Sequence, residues 1–143
     1  MTTPLDELLD QVRQLWHVTV QAAERLHRDE PVTLGMRAVL EFLAQNGPTP
    51  VPGIARRRHV TRQHIQALVN DLLARRLVSL GDNPAHRRSA LVRLTPEGTM
   101  AIDRMKRREA RFFDSLRLKV GSDDLRRAAA TMRAVREAMG DRP

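Results

Sequence analysis

A mainly α-helical chain with one small β-hairpin is what this sequence predicts, and three observations carry the prediction. Apolar residues recur at three- and four-residue spacing through six segments. Two short runs of β-type residues, 77–80 and 90–94, flank a stretch of turn formers. Breakers and capping residues (Glu30-Pro31, Asn46-Gly47-Pro48, Thr61, Thr95-Pro96, Gly121) fall between the segments and not inside them.

The first segment, residues 5–27, places Leu5, Leu8, Leu9, Val12, Leu15, Trp16, Val20, Ala23 and Leu26 at helical spacing over about six turns. Thr33 is the expected N-cap of a second helix, 34–45, whose inward face is Met36, Val39, Leu40 and Leu43. A short third helix covers 51–58, and His59-Val60 turns the chain. Thr61 then caps a fourth helix expected to run to about Arg76. Its inward face is Ile65, Leu68, Val69, Leu72 and Leu73; its outer face carries Arg62, Gln63, Gln66 and Asn70. The two β-type runs with Gly81 to Ser89 between them predict a hairpin with a basic tip at Arg87 and Arg88. Thr95-Pro96-Glu97 supplies a cap, a first-position proline and a first-turn acid for a fifth helix, expected to reach about Val120. Ser122 is expected to cap a last helix, 123–139.

Composition narrows the function. The chain has 143 residues, a length suited to one domain, and 41% hydrophobic residues. It contains no cysteine, hence no disulfide framework and no thiolate chemistry. The start, MTTPLDELLDQV, lacks the basic and apolar regions of a secretory signal, and no run approaches the ~18 apolar residues of a membrane span. A cytoplasmic protein without membrane association is the expectation. The formal net charge is +8, and its location is more informative than its size. Between Val51 and Arg93 nine arginines meet only Asp71 and Asp82, a net +7, which leaves +1 for the rest of the chain. A focused patch of this kind suits a polyanionic partner.

The fourth helix has the design of a base reader. A helix fits the major groove of B-DNA, where each base pair shows a distinct pattern of donors and acceptors. Thr61 suits a phosphate, Arg62 guanine, and Gln63 and Gln66 adenine. Arg87 and Arg88 on the hairpin suit an adjacent narrow minor groove. Polar residues on one face alone also describe an ordinary solvated helix; the preceding turn, the basic hairpin and the focused charge favour double-stranded DNA. His59 and His64 straddle a turn with no acid or cysteine close in sequence, so phosphate contact or exposure is expected and a metal site is not. No Gly-rich phosphate loop, HExxH, GxSxG or Cys–His pair is present, so neither an enzyme nor a cofactor is expected.

The stretch from Gly53 to Val78 resembles the helix-turn-helix of MarR-type regulators. Asp82-Asn83-Pro84 with Arg87-Arg88, followed by Val92-Arg93-Leu94-Thr95-Pro96-Glu97-Gly98, resembles that family's wing and the start of its next helix. Four positions depart from the pattern: Arg58 for an apolar residue, His59 and Arg76 for glycines, and His86 for an acid that helps orient a wing arginine. The resemblance implies a winged helix-turn-helix with a helical dimerisation region. Residues 1–32 and 96–143 would form the dimerisation region and 33–95 the DNA-binding lobe. It implies a homodimer acting on a pseudo-palindrome, probing DNA with Arg57, Thr61, Arg62, Gln63, His64, Gln66, Asn70, Arg87 and Arg88. It also implies a small aromatic or other small-molecule effector, with Trp16, His17 and Met36 as pocket residues; the alternative makes Trp16 and Met36 core and His17 an interface residue. The expected function is a ligand-responsive repressor, and the rival is an architectural DNA binder without strong sequence preference.

Overall fold

The computed structural model describes residues 1–140. The elements in chain order are α1 (Pro4–Leu26), α2 (Leu34–Asn46), β1 (Thr49–Pro50), α3 (Val51–Arg58), α4 (Arg62–Ala74), β2 (Val78–Gly81), β3 (Leu91–Leu94), α5 (Pro96–Ser115) and α6 (Ser122–Gly140). The chain divides into two compact units, Met1–Arg111 and Phe112–Pro143.

Capping chemistry sets most helix starts. Thr3 and Asp6 form a reciprocal capping box at the head of α1. Thr33 accepts from the Met36 N–H and Thr61 from the His64 N–H, as expected from their positions. At α5 the Thr95 hydroxyl accepts from the Gly98 N–H at 3.0 Å and donates to the Arg76 carbonyl at 2.7 Å. One threonine thus caps a helix and ties it to the end of α4.

Two helix ends close in an unusual way. His59 (φ 55°) and Arg76 (φ 58°) both adopt the left-handed conformation, which glycine enters without steric cost. Both closures form nonetheless. The Val60 N–H reaches the Ala55 carbonyl and the Leu77 N–H reaches the Leu72 carbonyl, the six-to-one bond of a Schellman motif. The departures noted at these two positions therefore leave the turns intact and place a side chain where glycine carries none.

The core of the first unit collects Met36, Val39, Leu40 and Leu43 from α2, Ile54 from α3, Ile65, Val69 and Leu72 from α4, and Val78 and Val92 from the sheet. It continues past residue 95 into Ala101, Ile102 and Met105 of α5. Gly98 admits α5 to this core: a β-carbon there would sit 1.9 Å from the Leu77 carbonyl oxygen. The sheet is antiparallel in the order β1-β3-β2, with Leu80 opposite Val92 and Thr49 also opposite Val92 on the other side. The hairpin of β2 and β3 matches expectation. The third strand, β1, was not expected, because two residues, one of them proline, show no alternation.

One helix ends earlier than its apolar pattern suggests. α5 stops at Ser115 instead of running to about Val120. The Ser115 hydroxyl donates to the Phe112 carbonyl at 2.6 Å and the Leu116 N–H reaches the Phe113 carbonyl, a three-residue turn that closes the helix. Residues 116–121 follow without helix, and α6 begins at Ser122.

An ion-pair lattice joins α5 to the segment around α2. Arg37 donates to both oxygens of Glu109 and to Glu41 at 2.8 Å. His27, buried at the end of α1, places Nε2 2.8 Å from Glu109 Oε1. Arg104 grips Glu30 with two bonds and Arg108 grips Asp29 with two more. Burial pushes the Glu109 carboxyl up, but the bonds from Arg37 and His27 outweigh it and hold the group below its ordinary value.

Candidate nucleic-acid interface

α4 is 13 residues long, about 20 Å, and exposes Arg62, Gln63, His64, Gln66 and Asn70 while burying Ile65, Val69 and Leu72. This face stands out because 3.6-residue periodicity assigns every large apolar residue to the core side. α3 and the left-handed turn at His59 precede it, which gives a helix-turn-helix with α4 as second helix.

The hairpin loop is closed from inside. Asn83 donates through Nδ2 to the Ser89 carbonyl at 2.8 Å and accepts from the Ala85 N–H at 3.2 Å. The His86 N–H reaches Asn83 and the Ser89 N–H reaches His86. These bonds use the loop's backbone and leave Arg87 and Arg88 exposed. Asn83 thus orders the loop that carries His86, Arg87 and Arg88. Its turn propensity was legible in the sequence, but its bonding to both ends of the loop was not.

An open cleft brings the two pieces together. Arg62, Gln63 and Gln66 of α4 face Arg88 across a space also lined by Val51, Pro52 and Leu80. Four of the nine expected contact residues therefore share one cleft. Thr61 sits at the N-terminus of α4 with its hydroxyl engaged by the His64 N–H, and the positive end of the helix dipole favours an anion there. His64 and Asn70 are exposed on α4 outside the cleft, and Arg87 lies beyond it on the wing.

The arginines of the basic block are not equivalent, a distinction the charge count does not make. Arg57 donates to Asn46 at 2.5 Å and lies 5.1 Å from the centre of the buried Phe42 ring. Arg75 donates to the Pro31 carbonyl at 2.8 Å and to the Asp71 carbonyl at 3.1 Å. Arg93 lies across Gly81, where a β-carbon would meet its Nε at 2.5 Å. By contrast, among the described residues no carboxylate lies within ion-pair distance of Arg62, Arg87 or Arg88. These three present bare charge to solvent.

The expected effector residues separate. Met36 is 1% exposed in the core, whereas Trp16 is 68% exposed on α1 and His17 beside it is also exposed. Among the described residues no helix is long and apolar enough to cross a membrane.

Comparison with known proteins follows the same outline. A sequence model described as "MarR family" matches residues 37–89. An uncharacterized protein of Mycobacterium tuberculosis is 37% identical over 93 residues, which is 60% of this chain and 65% of that protein. The match therefore spans just under two thirds of the relative's length. The crystal structure of the MarR family transcription regulator SP03579 resembles the chain with a TM-score of 0.85 and 26% identity, covering 96% of this chain and 91% of that one. The Staphylococcus aureus MarR in complex with salicylate and kanamycin shares the fold with a TM-score of 0.82 and 15% identity, covering 96% and 93%.

Proposed function

The chain belongs to the MarR family of winged-helix transcription regulators, and from that premise we propose that it is a sequence-specific DNA-binding repressor that acts as a homodimer on a pseudo-palindromic operator. The observation that carries this reading is the unpaired basic surface where α4 meets the wing: Arg62 and Arg88 line one cleft together with Gln63 and Gln66. Arg62, Gln63 and Gln66 read base edges, Thr61 and His64 hold phosphate at the helix start, and Arg87 and Arg88 enter the neighbouring minor groove. Arg57, anchored on Phe42 and Asn46, keeps donors free for a phosphate at the edge of the same surface.

The dimer is supported by apolar surface that each terminal region leaves uncovered. α1 buries no residue fully and exposes Leu15, Trp16 and Val18. In the second unit Phe113, Leu118, Leu125 and Met139 are all exposed, and α6 likewise buries none. Exposure on this scale suits a partner surface. We assign residues 33–95 to DNA binding and 1–32 with 96–143 to dimerisation, the first half of α5 serving both. Two-fold symmetry would set the half-site centres about 10 bp apart.

Effector response is proposed by likeness to the salicylate complex of the Staphylococcus aureus protein. A small aromatic acid would meet Trp16 and His17 from α1, whereas Met36 is buried in the core. Such a ligand acts by binding one arrangement of the lobes more tightly than another. No catalytic role is assigned.

Selection from a random duplex library, followed by competition with random DNA at fixed salt, tests the reading. A repressor of this kind enriches paired half-sites and holds them against random competitor. Equal competition by random duplex points instead to an architectural DNA binder, and a single unrepeated half-site bound by a monomer ends the dimer proposal.

A further inference from the structure

We propose that Asn70 is not a base reader but a positioning residue, bracing Gln66 so that its amide meets an adenine in one orientation. The proposal deepens the reading of α4 as the base-reading helix and rests on it.

Gln66 Nε2 donates to Asn70 Oδ1 at 2.9 Å, one turn apart on the exposed face of α4. Gln66 lines the cleft with Arg62 and Arg88; Asn70 does not. Asn70 is the ninth residue of the 13-residue helix, about 6 Å beyond Gln66 along the axis, and its side chain is one methylene shorter. Recognition helices of this type contact base edges through their N-terminal residues. Position and reach both favour Gln66 as the group that touches a base.

The amide chemistry makes the brace specific. Glutamine recognises adenine by accepting from N6 through Oε1 and donating to N7 through Nε2. Nε2 carries two hydrogens, so giving one to Asn70 leaves the other, together with Oε1, for the base. Free to rotate, the Gln66 amide exchanges oxygen and nitrogen by a half-turn. With Nε2 bonded to Asn70 Oδ1, it presents acceptor and donor in one order. A paired amide also gives up less rotamer freedom on binding.

Four variants test this: Gln66→Ala, Asn70→Ala, Asn70→Asp and the Gln66→Ala/Asn70→Ala double. The readout is base preference at each position of the selected site, taken as a ratio so that uniform changes in affinity divide out. Gln66→Ala should lose roughly tenfold preference at one position. Asn70→Ala should lose about twofold at that same position and at no other, the scale of one helical side-chain pair. Asn70→Asp keeps the acceptor and should keep the preference while weakening binding to every duplex. The double variant should match Gln66→Ala alone, because a brace with nothing to hold contributes nothing. Loss at a second position in Asn70→Ala, or a further loss in the double variant, makes Asn70 a reader and overturns the proposal. So does an unchanged Gln66 position in Asn70→Ala, which reduces the pair to a helix contact. A wild-type protein that enriches no motif at all fails earlier, removing the proposed function and the brace with it.

Discussion

Arg37, Arg104 and Arg108 lie on α2 and α5; Arg62, Arg87 and Arg88 lie on α4 and the wing. The first three each face a carboxylate, Arg37 at Glu109 and Glu41, Arg104 at Glu30, and Arg108 at Asp29. The second three face none among the described residues. One residue type thus does two jobs in one compact unit. Where acids lie opposite, the guanidinium forks fasten α5 to the segments around α2, and the charge is spent inside the molecule. Where the neighbours are glutamine, asparagine and proline, the charge remains for an outside partner. A count of basic residues does not separate the two groups.

Breaking the lattice should give the largest effect. Glu109→Gln leaves Arg37 with Glu41 as its one carboxylate and weakens the bond from His27, at a site where both the Arg37 and Glu109 side chains are less than a fifth exposed. A loss of about 3 kcal/mol in unfolding free energy is expected by chemical denaturation. The variant should also flatten the acid limb of the stability profile. Glu109 has a lowered folded pKa, so its contribution is present above the ordinary value of 4.5 and disappears as pH falls through the lower folded value. The unfolding free energy measured from neutral pH down to about pH 3 therefore falls less steeply in Glu109→Gln than in wild type. An acid limb of unchanged slope would show that the lattice is not what acid breaks.

The unpaired group should respond in the opposite currency. Arg62→Ala should cost about 2 kcal/mol of discrimination at one base position and leave stability within about 0.5 kcal/mol. Arg88→Ala should weaken specific and random duplexes alike and reduce the slope of binding against salt by about 1. Equal losses on specific and random DNA in both variants would erase the division of labour between α4 and the wing. A fall in stability for either would erase the contrast with the lattice.

The smallest effect belongs to the left-handed positions. His59→Gly and Arg76→Gly relieve a steric cost but loosen the unfolded chain, so each should stabilise by only about 0.5 kcal/mol. Thermal unfolding checks this, and a clear loss would mean that the side chains contribute contacts beyond the turn.

Much of this was legible along the chain. Thr33, Thr61 and Thr95 marked helix starts because a capping hydroxyl acts on a backbone N–H within three residues. The inward faces of α2 and α4 followed from periodicity, and the hairpin from two β-type runs about turn formers. The end of α5 was misjudged because Leu116, Leu118 and Val120 continue an apolar pattern past the turn that Ser115 closes. β1 was missed because its only signal is a partner about forty residues away, Val92 opposite Thr49.

The sequence by itself determined the order of the helices and the hairpin, the caps at Thr33, Thr61 and Thr95, and the place where positive charge accumulates, all of which rest on interactions within a few residues. Only the tertiary structure decided which arginines are free. Arg57 is anchored because the end of α2 brings Phe42 and Asn46 to it, and Arg75 because the chain returns past Pro31. Arg62 and Arg88 are bare because folding brings α4 and the wing together with no acid between them. Partners of that kind come from remote segments, and a charge is spent or spared by whatever folding sets beside it.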